Sequence, residues 1–281
     1  ASHDIESANS DATYKKLCRS TMAKCSALWN KASRSTQCAD IVRDTFQTCL
    51  IVPNATRWNS YYYAVDKVRL IVERHSEDRI AEVFQALDTP TFRPNELLFL
   101  REYCCVMQPL ACALDILQAE TKCFIGYLLP TLASLRTKLL GLKSTLKLTV
   151  PLVNAVLTGL DARFKGYDSR HDLIIASVTL PQFRLRWLDD DDRKSQARSL
   201  LYEQLRVAQQ QHVESELVSV DAHDSSIQAA SDDDFFCFGV DTREQSDATV
   251  EVDLYLSDSS REIECLKKFP GIVKLFKKFN T

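Results

Sequence analysis

The chain has 281 residues, 45% of them apolar, which is enough for one large domain or two modest ones with a sizeable core and excludes global disorder. Six Gly and eight Pro are too few for the tight turns of a many-stranded sandwich or barrel, so long helices are expected and an all-β fold is not. With 35 basic and 38 acidic residues the formal charge is −3, and bulk electrostatics selects no partner.

Ala1 to Asp11 is polar and acidic, expected to be disordered, and lacks the basic-then-apolar order of an export signal. From Ala12 to Arg74 eleven Lys/Arg face four Asp/Glu. Within that basic end Tyr14, Leu17, Cys18, Met22, Cys25, Leu28 and Trp29 recur at three- and four-residue steps, which predicts an amphipathic helix. A short helix is expected over Gln37 to Phe46. Thr48 to Val52 reads as a brief strand or extended linker stopped by Pro53-Asn54. Asn59-Ser60 is a credible cap for a helix from Tyr61 to Arg74, and Ser76-Glu77-Asp78 for the next, which Thr89-Pro90 ends.

After Pro94-Asn95 the apolar residues from Leu97 to Leu117 keep helical period throughout, with Pro109 predicting a kink or break. No run approaches the roughly eighteen uncharged apolar residues of a membrane span, so no membrane is expected as a partner. Phe124 to Leu142, Val150 to Phe164 and Asp189 to Gln211 are further helices, the last with an acidic first turn that suits the helix dipole. No fixed-period repeat is present. From Ser219 to Ser260 eleven Asp/Glu face one Arg, a composition expected of a flexible linker. Arg261 to Thr281 returns to six basic against two acidic residues and carries an apolar stripe that should dock on the domain or on a partner chain.

The ten Cys fall mostly within helical apolar patterns. There is no C-x-x-C pair and no His at ligand spacing beside a Cys, so no metal site is expected and the thiols read as small hydrophobes of a reducing compartment. No two of the six glycines are close together, so no phosphate-cradling loop can form. Neither G-x-S-x-G nor H-E-x-x-H occurs. The acidic stretch reads as a solubilising spacer, since a solvated Asp cluster has no fixed geometry or shifted pKa. No catalytic residue is assigned.

The most informative segment is PNATRWNSYYY, Pro53 to Tyr63, where a guanidinium, an indole and three phenols sit at the foot of a helix in the basic end. Aromatic faces stack on unpaired bases and Arg meets phosphate, so this composition suits nucleic acid. Trp58 serving as a buried anchor where loop meets helix is the competing reading.

Thr56-Arg57-Trp58-Asn59-Ser60 followed by Tyr62 resembles the T-R-W-N-S-x-Y signature of hAT-superfamily transposases and the domesticated BED-finger proteins derived from them. Leu160 to Lys165 (LDARFK) is similar to the family's L-D-P-R-F-K, with Ala162 where Pro is usual. Glu251 to Leu256 (EVDLYL) and Cys265 to Asn280 resemble the opening of the family's C-terminal dimerisation region, although the usual W-W pair is not recognisable.

The resemblance implies a mainly α fold, an irregular multi-helix bundle like the family's helical insertion, with remnants of an RNase H-like core at the ends. The expected organisation is a disordered N-terminus (1–11), an all-helical insertion-like domain (12–218), an acidic flexible linker (219–248) and the truncated start of the dimerisation region (249–281). It also implies DNA contacts by Arg57, Trp58 and Asn59, with Trp58 stacked on a flipped base and Arg57 on its phosphate. Dimerisation is implied for Leu254, Tyr255, Leu256, Leu266, Phe269, Pro270, Leu275 and Phe276.

Family catalysis uses three acidic residues and divalent metal. Two are expected upstream of this chain and one downstream, so Mg2+ or Mn2+ is expected only for an intact transposase and the chain itself is not expected to be an enzyme. No BED-type finger is present. The function that follows is a nuclear, transposase-derived protein that binds DNA and forms a homodimer or oligomer. The alternatives are a helical protein-protein interaction scaffold and a fragment of an active DNA transposase.

Overall fold

The computed structural model describes residues 8, 10–54, 58–119, 123–217 and 242–280. Among them the regular structure is entirely helical, with no strand. The helices are α1 (Ala12–Arg34), α2 (Thr36–Phe46), α3 (Trp58–Arg74), α4 (Glu77–Ala86), α5 (Pro94–Leu117), α6 (Leu128–Leu142), α7 (Val150–Arg163), α8 (His171–Val178), α9 (Asp191–Leu217), α10 (Thr242–Ser257) and α11 (Pro270–Asn280). Short 3-10 turns lie at Ile125–Tyr127, Tyr167–Ser169 and Ile263–Lys268. Nothing described addresses an RNase H-like remnant.

The chain forms two compact units, Ala1–Ala119 with Ser134–Lys165, and Glu120–Ala133 with Gly166–Thr281. The single helical domain expected over 12–218 is therefore divided. In the first unit α5 is central, with α1 and α3 packed on it, α2 against α1, and α4 against α2. Val65, Val68, Phe99, Leu100 and Val106 are buried there, and Tyr14 meets Phe99 at 5.6 Å between ring centroids. In the second unit α8, α9, α10 and α11 share one core built on Ile175, Leu201, Leu205, Val252, Tyr255 and Ile272. The apolar faces of α8 and α9 are thus covered by the C-terminal helices, which is why the boundary falls before them.

Local signals account for many helix ends. The Asp11 carboxylate accepts from the Tyr14 amide at 2.8 Å and starts α1, and the Ser35 hydroxyl accepts from the Cys38 amide at 3.2 Å to start α2. Pro94 occupies the first turn of α5, where its missing N–H costs nothing, and the Glu96 carboxylate accepts from the Arg93 amide at 2.7 Å. α2 ends at Gln47 in the left-handed region, φ 53°.

Several expectations change. Thr48 to Val52 forms no strand. α3 begins at Trp58, so Asn59 and Ser60 lie inside its first turn rather than capping it. α5 runs through Pro109 without a break; the carbonyl freed four residues earlier belongs to exposed Cys105, where water can reach it. The linker expected over 219–248 lies outside the described residues through Asp241, and from Thr242 onward the chain is α10. Residues 1–7, the larger part of the expected disordered N-terminus, also lie outside.

Among the described residues α5 is long and apolar enough to cross a membrane, with a mean hydropathy of 1.4 over its best window. Arg101 and Glu102 sit within the helix, Glu102 is buried, and its carboxylate accepts four bonds from the start of α7. Those features suit the central helix of a packed unit.

Candidate nucleic-acid interface

Two helices position the start of α3. The Asn59 side-chain amide donates to the Ala111 carbonyl at 3.0 Å and to Asp115 Oδ1 at 2.6 Å, both on α5. One turn further along α3 the Tyr63 hydroxyl donates to Asp115 Oδ2 at 2.5 Å. The hydrogen bond to Asp115, with smaller effects of burial and of that charge, pushes the Tyr63 phenol up to about 12. On the other side the Ser60 hydroxyl accepts from the Asn54 amide at 2.9 Å and donates to the Asn54 carbonyl at 2.6 Å, tying the preceding segment to the helix. The second half of the T-R-W-N-S block is therefore a joint that anchors α3 to α5 and to residue 54.

The neighbouring phenols are also engaged within the chain. Tyr61 packs edge-on against Trp29 of α1 at 5.6 Å, and Tyr62 is buried, with its ring 5.2 Å from that of Tyr63. Asn59 thus spends its side-chain donors on α5 and is a positioning residue for the loop-to-helix joint, not a free group for DNA. Arg57 lies outside the described residues, and of Trp58 the backbone alone is described.

The largest uncompensated charge in the first unit is on α1, which contains six Lys/Arg and no carboxylate. Lys24 and Lys31 are engaged, Lys24 with Glu96 at 2.5 Å and Lys31 with Asp88 at 3.4 Å. Lys15, Lys16, Arg19 and Arg34 are exposed and pair with no carboxylate among the described residues. Lys15 and Arg19 are one turn apart, Lys16 flanks them, and Arg34 closes the helix. At 1.5 Å per residue this helix is about 34 Å long. Arg69 on α3 shows the contrast, bridging Asp66 at 2.7 Å and Glu73 at 2.5 Å. A carboxylate-free helix with exposed cations can track a phosphate backbone. The sequence signal for it was the absence of Asp and Glu from 12 to 34, whereas Asp115 has no sequence signal because its partners are about fifty residues away.

The LDARFK motif closes α7. Asp161 is paired with Arg136 of α6, Arg163 donates to the Gly159 carbonyl at 3.2 Å, and Leu160 is buried. These contacts join α6 to α7 and leave no carboxylate grouped for metal. Among the described residues no cluster of three His, Cys, Asp or Glu side chains is placed to hold a metal ion.

The residues implied in dimerisation divide between interior and surface. Tyr255, Leu266, Phe269 and Leu275 are buried in the second unit's own core. The Tyr255 hydroxyl donates to the Val178 carbonyl at 2.9 Å, and its ring meets Phe269 edge-on at 5.4 Å. Leu256 and Phe276 are partly buried against the same core, while Leu254 and Pro270 are exposed. The C-terminal piece therefore docks within this chain, as its apolar stripe required, and four of the eight side chains are unavailable to another copy without opening the unit. Glu251 accepts from the Gly271 and Ile272 amides at 2.8 and 3.1 Å and so caps α11.

No family model, no curated protein and no solved structure matches the chain.

Proposed function

We propose that the chain is part of a nuclear protein derived from a hAT-superfamily transposase, and that it binds DNA and self-associates. The observation that carries this reading is the T-R-W-N-S block leading directly into α3, with LDARFK and EVDLYL following in the family's order. The carboxylate-free outer face of α1 supports it, because phosphate-tracking surfaces need cations not already neutralised by the chain itself. Among the residues implied in self-association Leu254 is exposed on α10, one turn from exposed Val250.

The test is DNA binding by the chain across a salt titration, with Trp58→Ala as the variant. Affinity is expected to fall steeply as salt rises. Trp58→Ala is expected to weaken binding to a hairpin or flipped-base DNA about tenfold more than to plain duplex, the loss of one stacked base. Equal binding of both DNAs by the variant and the parent would overturn the assignment to Trp58. Absence of salt-sensitive binding would overturn the DNA reading itself.

A second reading, a helical interaction scaffold, is favoured by the commitment of Asn59 to α5 and of Tyr61 and Tyr63 to internal partners. Under it the motif is an architectural joint, and Trp58→Ala changes stability without changing DNA affinity.

A further inference from the structure

The second unit contains a groove of about 600 Å³ lined by Arg184, Arg186, Lys194 and Arg198 and by Asp189, Asp253 and Asp258, among others. Two of its three carboxylates are engaged. Asp253 accepts the Tyr202 hydroxyl at 2.5 Å. Asp258 accepts the Ser260 amide at 2.6 Å and Lys268 at 3.3 Å, leaving only a 3.8 Å approach to Arg184. Lys194 is engaged by Asp191 at 2.8 Å.

The guanidinium groups are not similarly satisfied. Arg184 is buried, with 4% of its surface exposed, and its Nε has no hydrogen-bond partner. Its remaining contacts are the Tyr255 ring, 4.9 Å from the guanidinium carbon, and a 3.8 Å approach to the Cys265 sulfur. Its backbone is in the left-handed region, φ 47°, an unfavourable conformation for a residue with a long side chain. Arg186 donates only to neutral carbonyls, those of Pro181 at 2.9 Å and Gln182 at 2.5 Å among them. Burial first, then the positive charges of Arg261 and Arg184, hold the Arg186 guanidinium below its ordinary value. Arg261 and Arg198 have no partner among the described residues.

Four cations therefore line the groove against three carboxylates, Asp258 is shared between Arg184 and Lys268, and Arg184 is buried with an unmade donor. Buried charge of one sign is costly unless an opposite charge meets it. Arg, with its planar fork of donors, is the side chain best matched to a tetrahedral oxyanion. We propose that this groove is a binding site for a phosphate-type oxyanion, held by Arg184, Arg186 and Arg198. The ligand is either a free phosphate or phosphomonoester, or a phosphodiester of a nucleic-acid backbone. The site does not depend on the DNA-contact reading of the first unit.

The experiment is thermal unfolding of the full chain with inorganic phosphate, with phenyl phosphate and with a short DNA duplex, each against chloride at matched ionic strength. Phosphate is expected to raise the midpoint with a saturating dependence on concentration, as a ligand of the folded state must. Arg198→Gln, at an exposed lining residue with no hydrogen bond or ion pair among the described residues, is expected to weaken that apparent affinity about tenfold. Lys194→Gln provides a second variant in the groove lining and is expected to act in the same direction. A duplex that competes with phosphate identifies the phosphodiester source; a response to phosphate and phenyl phosphate without duplex competition identifies the small ligand. A midpoint that phosphate raises no more than chloride overturns the site. So does a phosphate response that both variants retain in full, because the ion then binds elsewhere.

Discussion

Glu102 of α5 and Thr149, the residue before α7, form one of the most fully satisfied buried polar contacts in the first unit. The carboxylate accepts from the amides of Lys147, Leu148 and Thr149 at 2.9, 2.8 and 3.0 Å and from the Thr149 hydroxyl at 3.1 Å. Both residues are buried. An acidic side chain from one helix thus serves as the N-terminal cap of another, where orphan amides and the helix dipole both favour negative charge. Glu102→Ala leaves those buried donors unmet and is expected to cost about 3 kcal/mol, read as a lower midpoint in urea unfolding of the chain.

The Lys24 and Glu96 pair makes stability depend on pH. Burial alone would raise the Glu96 carboxyl, but the Arg93 amide, the Lys24 ammonium and the Ser20 hydroxyl outweigh it and hold the group below 4.5. A carboxyl whose folded value is depressed contributes stability that is present above its unfolded value and lost as pH falls through the folded one. Thermal midpoints of the parent chain are therefore expected to drop more between about pH 5 and pH 3 than those of Glu96→Gln. Lys24→Met, which strands a buried carboxylate, is expected to cost about 3 kcal/mol at neutral pH. An identical acid response in the parent and Glu96→Gln would show that the pair contributes nothing.

Two glycines separate a close approach from a merely helical position. A Cβ on Gly126 would lie 2.2 Å from the Ala176 carbonyl oxygen and 2.6 Å from a Leu180 methyl carbon. The Gly126 amide donates to Asn280 Oδ1 at 2.9 Å, and the Asn280 amide group donates onward to the Ala176 carbonyl at 3.1 Å. Gly126→Ala is expected to destabilise the second unit by about 2 kcal/mol or more. Gly141, in α6, has nothing within 4 Å of such a carbon, so Gly141→Ala is expected to stabilise by about 0.5–1 kcal/mol. Differential scanning calorimetry of the two variants checks the opposite signs.

The charge on α1 has a separate readout from the indole of Trp58. If Lys15, Lys16 and Arg19 reach phosphates, replacing all three with Gln lowers the slope of log affinity against log salt by about 0.9 for each, while Trp58→Ala leaves that slope unchanged. Fluorescence anisotropy with a labelled duplex measures both. A triple variant with the parental slope would remove α1 from the interface without touching the stacking role of Trp58.

The legibility of each feature followed the sequence distance of its cause. Asp11, Ser35 and Pro94 start their helices through local effects within one turn, and each is of a residue type that favours a helix start. Asn59 and Ser60 misled for the same reason. They are cap-type residues before an apolar pattern, yet their side chains are taken by Asp115 and Asn54, and the helix starts earlier. Leu266 and Phe269 were read as apolar positions that needed cover, but composition could not distinguish a second copy from the chain's own α8 and α9. The groove around Arg184 gave no motif at all, because its lining comes from separate stretches of the chain, 184–189, 194–198 and 253–258.

The sequence by itself determined that this protein is helical and where most of its helices run. Scarce glycine, three- and four-residue apolar spacing and local caps act over a single turn and need no knowledge of the partner surface. Tertiary structure alone decided that the helices divide into two units, that Glu102 and Glu251 cap helices other than their own, and that the C-terminal stripe is spent inside the chain. Those outcomes depend on which apolar faces meet, and burial rewards any complementary face equally in sequence space while geometry admits only one.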